Sequence, residues 1–323
     1  MVDRDGQVHD AVRAAASPAP AAGEGAAGGA GSGGAAQRSK DYHLGVAPPV
    51  EPFPVKGAQH LEWGMQNRLA RMFDPVSGNT VMLAFDHGYI MGPTSGLERL
   101  DLVIPPLAPY VNVLMGTRGA FRSCLPPTVQ NPVCLRAGYD SSVLFDDMSA
   151  GGGLACDIAN ALRMNAVCLA AQTFIGSAGE KNSLELLARI VDAGATYGLP
   201  TLGVVAVGKE MARTEQFFLL ATRMLAENGA NVVKSYYCDG FEHVTAACPV
   251  PIVIAGGKKL PEAEALDMAH RAIAEGAHGV DMGRNIFQAA DPAAMAQAVG
   301  QIVHHGLTAA EANEFYLDTK SRT

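Results

Sequence analysis

The sequence reads Thr80-Val81-Met82-Leu83-Ala84-Phe85-Asp86-His87-Gly88 where a short apolar run meets polar residues and glycine, and this arrangement recurs along the chain. Seven further apolar runs follow: Val111–Met115, Pro132–Leu135, Ala166–Ala171, Thr201–Val207, Asn231–Val233, Pro251–Ala255 and Gly279–Met282. Runs of this length separated by helical patterns indicate βαβ units in a parallel sheet. Eight runs predict a closed (β/α)8 TIM barrel, in which functional residues collect at the carboxyl ends of the strands.

The segments between the runs carry helical patterns that end at glycine or proline. The predicted helices are Asn182–Tyr197, Thr214–Asn228, Pro261–Glu275, Pro292–His305 and Ala309–Tyr316. Residues 57–75, which include the single tryptophan, are predicted to form a helix that closes the amino-terminal end of the barrel. The alternation of strand and helix is weakest in residues 123–130 and 138–153, so the third and fourth strands have the least support from the pattern.

Residues 1–50 differ in composition from the rest of the chain. Residues 11–39 are dominated by Ala, Gly, Ser and Pro, and such a segment cannot bury enough apolar area to offset the entropy of ordering it. We therefore predict a disordered tail, and it lacks the continuous apolar core of a secretory signal. Residues 51–323 match the roughly 250 residues of a single barrel domain.

Charge and cysteine usage exclude several classes of protein. The net charge of −8 argues against a general nucleic-acid binder, which needs a basic face. No apolar run approaches the ~18 residues of a membrane span. The six cysteines contain no C-x-x-C pair, and Cys134, Cys156 and Cys168 lie in or beside apolar runs, which predicts reduced thiols and a cytoplasmic protein. No metal is predicted, because ligand spacing is absent.

Lys234 is the first candidate catalytic residue. It follows Val232 and Val233 directly, so we expect it to belong to the sixth strand and to point into the barrel. Burying an ammonium is costly, and a lysine in that position favours the neutral amine. Such an amine attacks a carbonyl to form a Schiff base or acts as a general base. The alternative is a lysine at a strand end that reaches solvent.

Asp86 and His87 end the first strand. A carboxylate at a barrel mouth suits proton transfer at a carbon next to a carbonyl, whereas the alternative is a strand-end cap that accepts hydrogen bonds from backbone amides. If the backbone stays extended, His87 points to the opposite side of the strand from Asp86. A structural hydrogen bond is then the favoured interpretation of His87, with direct chemistry as the alternative.

Glycines follow the seventh and eighth strands, at Gly256, Gly257 and Gly283. The corresponding loops of many barrels bind phosphate through glycine amides that approach the anion closely. Arg284 would add a bidentate charged contact. Glycine alone marks any tight turn, but glycines after these two strands, together with an arginine, predict a phosphate site.

Several of these stretches taken together resemble the class I aldolase family of the archaeal fructose-bisphosphate aldolase type. They are Ala84–Gly88, the strand that carries Lys234, Ala255–Lys258 and Gly283–Phe287, with a likeness that covers about residues 57–318. As a set these motifs are specific, whereas Gly-Arg-Asn alone is not.

The resemblance implies a TIM barrel assembled into a ring-like homo-oligomer, a decamer, that acts on a phosphorylated small molecule. The most similar branch degrades phosphorylated autoinducer-2 by passing an acetyl group to coenzyme A, which implies coenzyme A as a co-substrate and no bound cofactor. The family's active lysine corresponds to Lys234 and its first-strand aspartate to Asp86. Its phosphate-binding residues correspond to Gly256, Gly257, Gly283 and Arg284.

Two residues depart from the family pattern. Phe174 stands where the aldolases carry a proton-donating tyrosine, and Met91 stands where they tend to carry a polar residue. Tyr236, Tyr237 or His87 could replace the missing donor. Two other functions remain open: a class I aldolase that acts on a ketose phosphate, or the related aldolase of aromatic amino-acid precursor synthesis, neither of which needs coenzyme A; and a non-catalytic phosphosugar-binding barrel, which the loss of the donor favours.

Overall fold

The computed structural model describes residues 41–47, 53, 55–149, 151–206 and 213–322. The barrel lies in the unit formed by residues 51–323. The disordered tail predicted for residues 1–50 falls almost entirely outside the described residues, and it stays a prediction. Within the described ranges, no helix has the length and apolar character needed to cross a membrane.

The strands confirm the predicted (β/α)8 barrel. In the described ranges they are β1 Thr80–Ala84, β2 Val113–Gly116, β3 Val133–Arg136, β4 Gly138–Asp140, β5 Gly152–Leu154, β6 Ala166–Thr173, β7 Thr201–Val205, β8 Val232–Tyr236, β9 Ile252–Ala255 and β10 Gly279–Met282. Eight of these strands are parallel and close in the order β1-β10-β9-β8-β7-β6-β3-β2. Each predicted apolar run overlaps one barrel strand.

The helices lie before the first barrel strand, between the strands and after the last one. They are α1 Trp63–Met72, α2 Gly88–Met91, α3 Leu100–Val103, α4 Arg118–Cys124, α5 Ile158–Arg163, α6 Glu180–Tyr197, α7 Glu215–Glu227, α8 Phe241–Ala247, α9 Glu262–Ala274, α10 Arg284–Phe287, α11 Pro292–His305 and α12 Ala309–Ser321, with a 3-10 helix at Pro105–Tyr110. Helix α12 extends beyond the predicted end at Tyr316, which is buried inside it, and a capping box of Thr308 and Glu311 begins it.

The region between the third and fourth barrel strands departs from a simple βα repeat. After β3 the chain forms the antiparallel hairpin β4–β5 and then the short helix α5, in place of a long helix packed on the barrel. This hairpin explains why the strand–helix pattern is weakest in residues 138–153. Residues 143 and 146–149, which follow β4, line a cavity together with residues at the carboxyl ends of the barrel strands.

Side chains alternate between the barrel interior and the surrounding layer of helices, as successive residues of a strand must. In β1, Met82 packs in the interior, whereas Leu83 packs toward the helices. In β8, Val232 is interior and Val233 faces outward, so the alternation directs Lys234 inward, as predicted.

Helix α1 closes the amino-terminal end of the barrel, which confirms the prediction for residues 57–75. Leu69, Met72 and Phe73 pack in the same buried cluster as Val113 and Val232, the first residues of β2 and β8. Burial of this helix face removes apolar area from water and fills the bottom of the barrel.

Closure of the barrel depends on Gly279, the first residue of β10. Its φ of +138° is a conformation that side chains disfavour, and a Cβ there would lie 2.0 Å from the carbonyl oxygen of Thr80.

We expect Gly279→Ala to lower the free energy of unfolding by about 3 kcal/mol or more, through backbone strain and a steric clash. The control Gly300→Ala lies in α11, where a Cβ meets nothing within 4 Å, and should be neutral or stabilising by up to ~1 kcal/mol. Urea unfolding followed by circular dichroism measures the stability of both variants. Equal free energies of unfolding for the two variants would contradict the role of Gly279 in closing the barrel.

Candidate active site

A cavity of about 700 Å³ opens at the carboxyl ends of the strands. Seven of the barrel strands contribute residues to its lining, as expected for the functional end of this fold. All of the candidate site residues from the sequence line it: Asp86, His87, Lys234, Gly256, Gly257, Gly283 and Arg284. The fold therefore brings together residues from both ends of the domain around one chamber.

Lys234 forms a buried ion pair with Asp281. Its Nζ lies 2.9 Å from Oδ2 of Asp281, and the two side chains are 11% and 0% exposed. The residues belong to β8 and β10, which are alternate strands of the barrel, and alternate strands contribute the side chains of one interior layer. The Sδ atom of Met115 lies 4.0 Å from the same amine.

Sequence reasoning missed Asp281, although one signal was present. An aspartate lies between Val280 and Met282 in a strand whose other side chains are apolar, and both neighbours face the outer helix layer. Burial raises the pKa of Asp281, and Lys234 opposes this rise. Its Oδ1 has no hydrogen-bond partner among the described residues.

Asp86 forms a second buried ion pair, with Arg136 at the end of β3. Oδ2 of Asp86 accepts hydrogen bonds from Nε at 2.8 Å and lies 2.6 Å from Nη2. Burial acts to raise the pKa of Asp86, but the charges of Arg136, His87 and Lys234 lower it to about 2. Asp86 is therefore ionised at neutral pH. Arg136 was also missed, because its pairing with a residue fifty positions earlier is not visible in local pattern.

Tyr89 extends this charged cluster along the cavity wall. Its hydroxyl donates a hydrogen bond to the carboxylate of Asp140, and the guanidinium of Arg136 lies 5.2 Å from the centre of its ring. Burial raises the pKa of Asp140. The loop after β1 and the hairpin strand β4 are thus joined through polar side chains that line or border the cavity.

The prediction that His87 points away from Asp86 is wrong. The backbone turns helical at His87, with φ −52° and ψ −33°, where it precedes α2, so the extended geometry ends and both side chains line the cavity. The ring packs edge-to-face on Phe287, with centroids 5.6 Å apart. Burial lowers the pKa of His87 to about 4, so the imidazole is neutral at neutral pH. Within the described part of the chain its Nδ1 has no hydrogen-bond partner, so the favoured structural hydrogen bond is not seen.

Asn285 holds the two glycine loops together. Its Nδ2 donates to the carbonyl of Gly256 at 2.7 Å, and its Oδ1 accepts from the backbone amide of Leu260 at 2.8 Å. A Cβ on Gly283 would lie 2.5 Å from both the carbonyl oxygen of Ala84 and Cε1 of His87, so only glycine fits there. Gly257 has a φ of +68°, which also favours glycine.

Positive charge is concentrated at these loops. The Nε of Arg284 is buried and has no hydrogen-bond partner in the described ranges, although the residue lines the cavity. The guanidinium of Arg213 lies 4.1 Å from the ring centre of Tyr236, beside Gly257. Lys258 is exposed, whereas Lys259 pairs with Glu262 at 3.1 Å. Glycine amides, Arg284 and these nearby cations form a suitable environment for an anion.

The structure separates the candidate replacements for the missing proton donor at Phe174. Phe174 lines the cavity, as do Tyr236 and His87. Tyr237 turns toward α9, where its hydroxyl donates to Glu275 at 2.8 Å, and it does not line the cavity. Tyr89 does line it and was not foreseen.

No group of three or more His, Cys, Asp or Glu side chains in the described ranges is arranged to hold a metal ion. The six cysteines are free thiols. The groups that the site offers for chemistry are an amine, two carboxylates, a neutral imidazole and two glycine loops beside an arginine.

A family model described as DeoC/LacD family aldolase matches residues 80–289, which span all eight barrel strands and the residues that line the cavity. The chain belongs to this family of aldolases. Its members are enzymes, so the cavity at the strand ends is the candidate active site of an enzyme.

Curated relatives match most of the chain. A protein named 3-hydroxy-5-phosphonooxypentane-2,4-dione thiolase from Salmonella typhimurium is 52% identical over 283 residues, 87% of this chain and 97% of its own length. A protein of the same name from an Enterobacter species is 54% identical and covers 87% of this chain and 95% of its own. An uncharacterized aldolase from Pasteurella multocida is 53% identical, with shares of 87% and 97%.

Solved structures support the fold. An archaeal fructose 1,6-bisphosphate aldolase superposes with a TM-score of 0.68 at 24% identity, over 75% of this chain and 100% of its own. The fructose-bisphosphate aldolase of Slackia heliotrinireducens gives a TM-score of 0.70 at 19% identity, with shares of 84% and 96%.

The pairing of Arg136 with Asp86 should dominate the stability of the site. We expect Arg136→Met to lower the free energy of unfolding at neutral pH by about 3–5 kcal/mol, because it leaves a buried carboxylate without its partner. Adding Asp86→Asn should recover part of that loss. The double-mutant cycle is measured by urea unfolding.

The pH dependence gives a second check on the same pair. In the parent protein the low pKa of Asp86 makes its contribution present above about pH 4 and lost as the pH falls toward 2. In Arg136→Met the unpaired carboxyl should have a raised pKa, so the variant should be relatively more stable near pH 4 than near pH 7. A loss of the same size at both pH values would contradict the assignment.

Proposed function

We propose that this enzyme is an acyltransferase, a thiolase that cleaves 3-hydroxy-5-phosphonooxypentane-2,4-dione with coenzyme A to give dihydroxyacetone phosphate and acetyl-CoA. Relatives that carry this name are 52% and 54% identical over most of their length. The proposal is based on one structural observation: the buried amine of Lys234 lies in the same cavity as the glycine loops and Arg284.

The phosphate of the substrate would bind at Gly256, Gly257, Gly283 and Arg284. Anchored there, the substrate would present to Lys234 the carbonyl next to its phosphate-bearing carbon. The amine then either forms an imine with this carbonyl or polarises it. In both versions the carbonyl carbon withdraws electrons from the neighbouring hydroxyl-bearing carbon, which is the carbon that the departing acetyl group leaves.

The bonds and protons balance in this reaction. The thiol sulfur of coenzyme A attacks the acetyl carbonyl, the carbon–carbon bond to the hydroxyl-bearing carbon breaks, and its electron pair stays on that carbon. The proton that leaves the thiol is matched by the proton that this carbon gains, which gives dihydroxyacetone phosphate. No oxidant or reductant is required.

The environment of Asp86 restricts its role. A carboxylate with a pKa of about 2, held by Arg136, is a weak proton acceptor at neutral pH. It is better suited to stabilise positive charge on a substrate-bound Lys234, whose charge already acts on the pKa of Asp86. The neutral imidazole of His87 and the hydroxyl of Tyr89 are further cavity groups able to move a proton.

The apolar side of the cavity would receive the pantetheine arm of coenzyme A. Ile90 and Met91 of α2, Val143 and Met148 of the β4–β5 connection, and Phe174 line this side. A backbone hydrogen bond of 3.0 Å from Val143 to Ile90 joins two parts of the wall. Met91 and Phe174 are the two departures from the aldolase pattern, and both add apolar surface where a thiol arm would need it.

The test of the proposed reaction is acetyl-CoA formation by the purified protein. We expect acetyl-CoA and dihydroxyacetone phosphate in equal amounts, and a loss of at least about a thousandfold in Lys234→Ala, because the nucleophilic amine is gone. Lys181→Ala removes an exposed lysine of α6 that does not line the cavity, and it should keep the parent activity. Full activity of Lys234→Ala would refute the assignment.

The same assay separates the other candidate functions. Cleavage of a ketose phosphate that proceeds equally with and without coenzyme A would identify an aldolase instead. Binding of phosphorylated ligands in calorimetry, without turnover of any of these substrates, would identify a phosphosugar-binding barrel.

The apolar wall yields its own prediction. We expect Met91→Asp to raise the KM for coenzyme A by at least about tenfold, because it places a charge on the surface proposed for the pantetheine arm. The KM for the phosphorylated diketone should change little. Leu144→Asp is a control, since Leu144 is 92% exposed, follows the cavity residue Val143 and does not line the cavity itself. Equal effects of the two substitutions on both KM values would contradict the placement of the pantetheine arm beside Met91.

The ring-like homo-oligomer and the cytoplasmic location rest on the family resemblance and on cysteine usage, and both stay predictions. Sedimentation velocity of the purified protein tests the first, and a decamer is the expected species.

A further inference from the structure

The function proposed above leaves a buried carboxylate without a role. Asp281 is fully buried, yet its Oδ2 lies 2.9 Å from the amine that would attack the substrate. Its other oxygen has no hydrogen-bond partner in the described ranges. A carboxylate buried beside a lysine costs free energy that a pair of apolar side chains would not, so its presence calls for an explanation in chemistry.

We propose that Asp281 is a catalytic residue of this site, which takes a proton from the amine of Lys234 and returns it when the substrate oxygen leaves. The proposal rests on the proposed function, because it assumes that Lys234 attacks a carbonyl. It assigns separate tasks to the two buried carboxylates: Asp281 exchanges the proton, and Asp86 remains an anion.

The contacts of the two carboxylates support this division. Asp86 is engaged by Nε and Nη2 of Arg136, and in the described ranges its ion pairs are with Arg136 alone. Asp281 contacts the amine itself, in an ion pair that lacks the alignment of a good hydrogen bond. The carboxylate that touches the nucleophile is therefore the one that an arginine does not hold.

The charged and titratable groups that act on Asp281 come from three sides. Lys234 faces it from β8, Asp86 from the end of β1, and Arg136 and the thiol of Cys134 from β3. Burial is the largest influence and raises the pKa of Asp281, the charge of Asp86 raises it further, and Lys234 and Arg136 lower it. The net effect is a raised pKa for Asp281, whereas the pKa of Asp86 falls to about 2. Neighbouring carboxyls driven apart in this way commonly divide acid and base roles.

The proposed step conserves atoms and charge. The ammonium of Lys234 gives a proton to the carboxylate of Asp281, which leaves a neutral amine beside a carboxylic acid. The amine nitrogen bonds to the carbonyl carbon, the carbonyl π electrons move to oxygen, and one proton of the amine passes to that oxygen, which gives a neutral carbinolamine. Asp281 then gives its proton to the carbinolamine hydroxyl, the carbon–oxygen bond breaks, water leaves, and a protonated imine remains beside the Asp281 carboxylate.

Trapping with borohydride tests this step without the thiolase reaction. The probe is dihydroxyacetone phosphate, and the reduced adduct at Lys234 is quantified by mass spectrometry as a function of time. We expect Asp281→Asn to slow the appearance of the adduct by about a hundredfold or more at neutral pH. Asp267→Asn removes an exposed carboxylate of α9 that does not line the cavity, and should trap at the parent rate.

The pH profile distinguishes proton exchange from a merely structural ion pair. In the parent protein the trapping rate should vary little around neutrality, because the proton passes to Asp281 and not to water. In Asp281→Asn the rate should depend on pH and on buffer concentration, since the protons of the reaction must then be exchanged with solvent. A trapping rate that already depends steeply on pH in the parent protein would overturn the proposal. This measurement uses the parent protein alone, so it does not depend on whether a variant folds.

The outcomes separate the two levels of inference. An adduct that forms equally fast in the parent and in Asp281→Asn would refute the role of Asp281 and leave the role of Lys234 intact. The absence of any adduct in the parent protein would refute the imine step, and the Asp281 proposal with it. Loss of acetyl-CoA formation alone bears on the thiolase reaction and not on Asp281.

Discussion

The pairing of the first barrel strand with the last is the constraint on which the site depends. Thr80 lies opposite Gly279 and Met82 opposite Asp281, so closure of the sheet fixes the last strand relative to the first. The loops that follow these strands then meet, with His87 packed against Gly283. Without closure, the amine, the carboxylates and the glycine loops would lie on separate edges of an open sheet. Gly279 permits this closure because a larger residue would strike the neighbouring strand.

The barrel interior tolerates four buried charges because they are paired. Two cations and two anions form the pairs Asp86–Arg136 and Lys234–Asp281, and each pair offsets part of the cost of removing its charges from water. The pairs differ in strength of contact: the guanidinium binds Asp86 through two nitrogens, whereas Asp281 meets a single amine. The fold thus produces two carboxyls of unlike acidity within one chamber, together with an amine that faces the cavity.

The sequence predicts the features of this molecule that depend on residues close together in the chain. It does not predict those that depend on contacts between distant residues. Alternation of side chains along a strand placed Lys234 in the interior. Glycines after two successive strands predicted a phosphate site, and the structure brings these glycines to the cavity. Both patterns lie within a few residues of the chain. Arg136 and Asp281 were missed as partners, since their pairing joins strands far apart in the chain. The orientation of His87 was predicted wrongly because a single residue that leaves the extended conformation reverses the direction of a side chain. The hairpin of β4 and β5 stands where the repeat pattern would place a helix.

The proposed function requires that the buried amine of Lys234 faces a substrate whose phosphate is held by the glycine loops and Arg284. A crystal structure of the protein with bound dihydroxyacetone phosphate tests it most directly. We expect the phosphate oxygens to lie within hydrogen-bond distance of the Arg284 guanidinium and of the backbone amides of Gly256, Gly257 or Gly283. We expect the carbonyl carbon of the ligand to lie at or beside Nζ of Lys234. A phosphate bound elsewhere, or a Lys234 amine directed away from the ligand, would contradict it.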